Sequence, residues 1–76
     1  MEYKIINYLF EIIKKYDANS IEIYYNNNQS KKLTILYKWQ EIKSFNLNPT
    51  KLNKFENLLR CFKEFNNIWI WEFTFR

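Results

Sequence analysis

Residues 68–76, Ile-Trp-Ile-Trp-Glu-Phe-Thr-Phe-Arg, alternate so regularly that a β-strand there carries Trp69, Trp71, Phe73 and Phe75 on one face and Ile68 and Ile70 on the other. A strand apolar on both faces cannot stand bare in water. It needs a sheet to join, a layer packed over at least one of its faces, and something to pair with or protect its edge. The rest of the chain has to provide these.

The covering layer is legible. Over residues 2–16, Ile6, Leu9, Phe10 and Ile13 recur at i, i+3, i+4 and i+7, with Ile5, Ile12 and Tyr16 widening the apolar arc, and the cluster Asp17-Ala18-Asn19-Ser20 marks the stop. A second helix starts at Asn48-Pro49, a capping side chain followed by a proline whose missing N–H costs nothing in the first turn. Leu52, Phe55, Leu59 and Phe62 form its stripe, Leu58 and Phe65 flank it, and Asn66-Asn67 closes it through a left-handed residue.

The rest of the sheet is a hairpin. Ile21-Glu22-Ile23-Tyr24-Tyr25 alternates, the run Asn26-Asn27-Asn28-Gln29-Ser30 interrupts it, and residues 33–39 resume the alternation with Leu33, Ile35, Tyr37 and Trp39 on the expected core face. The chain has no glycine, so asparagine, the residue here that best tolerates positive φ, takes the turns. Residues 40–47 hold Ile42, Phe45 and Leu47 at no regular period and read as a loop that tucks apolar side chains beneath the sheet.

These elements predict one α+β domain spanning residues 1–76, in the order α-β-β-α-β, with a three-stranded antiparallel sheet and two helices packed on one of its faces. A tight hairpin makes the first two strands neighbours, so the aromatic strand falls at an edge, with the strand order 2-1-3 and the last strand antiparallel to the first. In that arrangement the four aromatic rings form the floor under both helices. Ile68 and Ile70 then face outward beside an unpaired backbone.

Composition narrows the chemistry. A domain of 76 residues buries only about 60% of the surface its unfolded chain exposes, a deficit that large rings offset, and 21% of this chain is aromatic. There is no histidine to act as a base near neutral pH, no glycine for a phosphate-cradling loop, one aspartate, and one cysteine without an imidazole partner. The expectation is a non-enzymatic protein with no catalytic residues, no cofactor, no metal site and no small-molecule substrate. Cys61, beside Leu58 and Phe62, reads as core filler. Charged and polar residues interrupt the N-terminal apolar run, and no stretch nears the roughly 18 consecutive apolar residues of a membrane span, so a cytoplasmic protein that does not enter the membrane is expected. More than half of the chain is Phe, Tyr, Met, Ile, Asn or Lys, the imprint of an AT-rich genome.

Two functions fit. The first is a protein-binding accessory or inhibitory factor, of the kind carried by a phage or mobile element against host defence (a CRISPR inhibitor is one such), which engages a partner protein or a second copy of itself as a homodimer. Its expected contacts are Ile68, Ile70 and Glu72 on the edge strand, with Tyr24 and Tyr25. The second is a basic single-stranded nucleic-acid binder: the chain carries a formal charge of +4, Lys31-Lys32 and Lys14-Lys15 would meet phosphates, and exposed aromatics would stack on bases.

Overall fold

The computed structural model describes residues 2–26 and 31–75. The order is α1 (Glu2–Tyr16), β1 (Ser20–Asn26), β2 (Lys32–Tyr37), β3 (Gln40–Asn46), a short 3-10 turn (Pro49–Lys51), α2 (Leu52–Asn66) and β4 (Trp69–Phe75). The four strands form one mixed sheet in the order β3-β2-β1-β4, antiparallel except for the parallel pair β1–β4. This corrects the expected three-stranded antiparallel sheet. The end signals act where they stand, but Asn48 caps the short 3-10 turn, and α2 itself begins after Lys51, whose side chain makes no cap. Asp17 takes φ 50° just after α1, the Asn48 side chain accepts the Thr50 N–H at 3.1 Å, and left-handed Asn67 donates its N–H to the Lys63 carbonyl.

The fourth strand comes from residues 40–47, expected to be a loop. Two local features hide it. In the β2–β3 register Ile35 faces Lys43 and Leu36 faces Glu41, so Ile42 is an extra, bulged residue that breaks the period-2 pattern and leaves Ile42 and Phe45 three apart. The turn before it is only Lys38-Trp39, both left-handed at φ 53° and 65°, with neither glycine nor asparagine to announce it. Trp39, expected on the core face of a longer strand, therefore sits in this turn and is 64% exposed.

The extra strand also reverses the last one. Each strand or helix here turns the chain back on itself, so one more strand before α2 makes β4 enter parallel to β1 rather than antiparallel. The expected edge position survives: β4 lies beside β1 at the end of the sheet.

Both helices cover one face. Ile5, Leu9 and Ile12 of α1 and Phe55, Leu59 and Phe62 of α2 pack onto Ile21, Ile23, Tyr25, Leu33, Ile35 and Phe45. The buried stripe of α1 centres one residue before the expected one, which leaves Phe10 at the helix–helix seam, edge-on to Phe62 at 4.8 Å. Tyr25 is buried in this layer and donates its hydroxyl to the Leu47 carbonyl at 2.6 Å, tying the chain after β3 to the core. That burial pushes the Tyr25 hydroxyl pKa above the ordinary tyrosine range.

The aromatic ladder faces the other way from its expected place. Ile68 and Ile70 are each 5% exposed and belong to the core, whereas Trp69 is 70% and Trp71 56% exposed on the face that no helix covers. The reason lies in β1: Ile70 is the register partner of Ile21, which is fully buried under the helices, while Trp71 pairs with Glu22 and Trp69 with Ser20. The side chains of Phe73 and Phe75, and residues 27–30, where a turn is expected, lie outside the described residues.

Candidate functional site

The uncovered face of the sheet is not uniform. Toward β3 it is polar, with Lys32 and Thr34 on β2 and Ser44 and Asn46 on β3, and Thr34 and Ser44 lie 3.3 Å apart through their hydroxyls. Toward β4 it is aromatic, with Trp69 and Trp71 flanking a shallow cavity that Asn19 and Ser20 complete. Isolated exposed tryptophans are ordinary; two on one strand, at the open end of a sheet, form a continuous apolar stripe.

Glu22 lies inside this face. Its register neighbours are Leu36 and Trp71, it is only 4% exposed, and its Oε1 accepts the Trp39 N–H at 2.7 Å. The bond anchors the β2–β3 turn. Two consecutive left-handed residues other than glycine cost about 1–2 kcal/mol each. A hydrogen bond to a charged group returns about 1.5–3 kcal/mol, an offset of the same order. Trp39 is thereby held, largely exposed, at the same end of the sheet as Trp69.

The two sheet edges differ. β3 carries Glu41, Lys43 and a bulge, three devices that discourage another strand from pairing. β4 is seven residues long, with no proline, no lysine and no register shift against β1, and Glu72 is its one charged residue. Its backbone can be oriented from one bond. Trp69 donates its N–H to the Asn19 carbonyl at 3.0 Å, so Trp69 and Trp71 direct their backbone groups toward β1 and the intervening Ile70 and Glu72 direct theirs away from the sheet.

The expected site residues scatter across this arrangement. Ile68 and Ile70 are core, so they present no side-chain surface to a partner, although the backbone of Ile70 lies on the open edge. Tyr25 is core as well; Tyr24 is half-buried on the uncovered face, and Glu72 is exposed on the helix side of the edge. Lys14 and Lys15 end α1, near where β1 begins, whereas Lys31 and Lys32 lie where β1 ends, with Lys32 opposite Asn26. The length of β1, about 20 Å, separates the pairs, so they do not line one groove. Trp69 and Trp71 are the residues misplaced by pattern alone. The available signal was residue type, because isoleucine is among the side chains most often fully buried and tryptophan rarely is.

Compared with protein families, characterised proteins and solved structures, the chain matches none. A functional reading therefore stands on the geometry of the edge.

Proposed function

We propose that this chain is a non-enzymatic protein-binding protein, an accessory or inhibitory factor that takes an extended segment of its partner along the outer edge of β4. The observation that carries the reading is the contrast between the two edges, one blunted by a bulge and charges, the other a long, regular strand flanked by exposed Trp69 and Trp71. In such an addition the main chain supplies directional hydrogen bonds, and alternate side chains of the partner cover the tryptophans. The nucleic-acid reading has less support. Exposed aromatics on a sheet suit stacking, but stacking platforms work beside cations that follow the backbone of the nucleic acid, and here the lysine pairs sit at opposite ends of the sheet while Glu22 borders Trp71. No helix among the described residues is long and apolar enough to cross a membrane.

Capture from an extract of the cell that carries the gene separates the readings. Glu72→Pro removes an outward-pointing N–H without breaking a bond to β1, so it blocks strand addition while sparing the sheet. Retention of the bound protein after nuclease treatment and at about 1 M salt, loss with Glu72→Pro, and indifference to Lys31→Ala with Lys32→Ala are the expected results. Binding that vanishes with nuclease, falls steeply with salt and depends on those lysines would overturn the proposal in favour of nucleic acid.

A further inference from the structure

The strand-addition reading, on which this inference rests, leaves the chemistry of the partner open, and the charges around β4 narrow it. An added strand bonds to the outward backbone groups of Ile70 and Glu72, so one of its residues lies directly across from Glu72, within reach of an exposed carboxylate. Glu72 does not act alone. Together with Glu56 of α2 it borders a small recess, of about 20 Å³, whose wall includes Ile23, Phe55 and Leu59. Two exposed carboxylates beside apolar surface suit a side chain that lays an aliphatic stem across that surface and brings a cationic head to the acids.

The wider surroundings have the same sign. Glu22 is a direct register partner of β4, Glu56 borders one recess beside it, and Glu64 and Lys63 border another, on a chain whose overall charge is +4. A second copy fits poorly, because edge-to-edge pairing of two identical strands brings two such acidic borders together. On the opposite face, the partner residue that lies across from Trp71, next to the one facing Glu72, falls beside the tryptophan stripe. The geometry points to a partner segment that is extended, places a lysine or arginine opposite Glu72, and carries an apolar side chain at the adjacent position that lies across from Trp71.

Three capped peptides test this: Val-Thr-Val-Arg-Val-Thr-Val and the versions with Glu or Thr in place of Arg, each titrated into the full chain while the backbone amides of β4 are followed by NMR. The expected order of affinity is Arg over Thr over Glu, with roughly five- to tenfold between the extremes for one cross-strand charge pair taken from attraction to repulsion. Glu72→Arg should reverse that order. Equal binding of all three, or an order that Glu72→Arg leaves unchanged, overturns the basic-partner inference while leaving strand addition standing. Failure of every peptide to shift the Ile70 and Glu72 amides overturns both.

Discussion

Replacing Ile70 and Trp69 by lysine, one at a time, tests the assignment on which the site depends, namely which face of β4 turns inward. Ile70 is 5% exposed, paired with fully buried Ile21 and covered by the helix layer. Ile70→Lys loses about 1.5–3 kcal/mol of apolar transfer and buries an ammonium group at a further cost of several kcal/mol. A chain of 76 residues has roughly 4–11 kcal/mol of stability in all, so this variant is expected to be unfolded or close to it. Trp69 is 70% exposed, so less than a third of the ring is covered. At about 25 cal/mol per Å², that covered portion contributes no more than about 2 kcal/mol, part of which the lysine stem restores by lying across the same surface. Trp69→Lys should therefore stay folded. Ile70→Val serves as the graded control, costing about 0.5–1.5 kcal/mol and lowering Tm by about 2–10 °C. Urea titrations followed by far-UV circular dichroism read all three without relying on tryptophan emission. A stable Ile70→Lys beside an unfolded Trp69→Lys would mean that the ladder is the core, and the account of the edge would fail with it.

Two further outcomes follow from other parts of the fold. Tyr25→Phe removes the hydroxyl bound to the Leu47 carbonyl and should cost about 1 kcal/mol at neutral pH. Because burial raises the Tyr25 pKa, the wild type keeps this contribution below the ordinary tyrosine pKa near 10 and loses it as pH rises through the raised value. The gap between wild type and variant should then stay constant up to about pH 10 and narrow as pH rises beyond it in urea midpoints, and a gap that stays constant there too would refute the assignment. Changing the turn pair to the favoured sequence, Lys38→Asn with Trp39→Gly, relieves two left-handed non-glycine residues while keeping the N–H that Glu22 binds. A gain of about 1 kcal/mol in thermal or urea unfolding is expected, and a loss would show that the Trp39 ring contributes more to folding than its exposure implies.

Much of the fold was legible because much of it is local. The Asn48-Pro49 start, the Asn67 stop, both amphipathic stripes and the β1–β2 pairing are set by interactions a few residues apart, and each is found in the structure close to where its residues place it. The strand β3 was hidden for an equally local reason: the bulge at Ile42 disrupts the alternation by which strands are recognised, and the Lys38-Trp39 turn lacks the residues by which hairpins are recognised. In the candidate site, Glu72 and the open backbone of β4 could be read from the sequence, whereas the exposure of the tryptophans was signalled by residue type alone and not by the pattern.

The amino-acid sequence by itself determined that residues 69–75 form a strand, that each face of it is apolar, and that two helices exist to cover one face of a sheet. Only the tertiary structure decided which face of that strand they cover. A period of two divides a strand into faces without ranking them, and the ranking came from the neighbour: once β4 lay parallel to β1 with Ile70 beside Ile21, the isoleucines shared its buried side and Trp69 and Trp71 were left on the open one. The direction of β4 was equally non-local, since it depended on one additional strand more than 20 residues earlier in the chain.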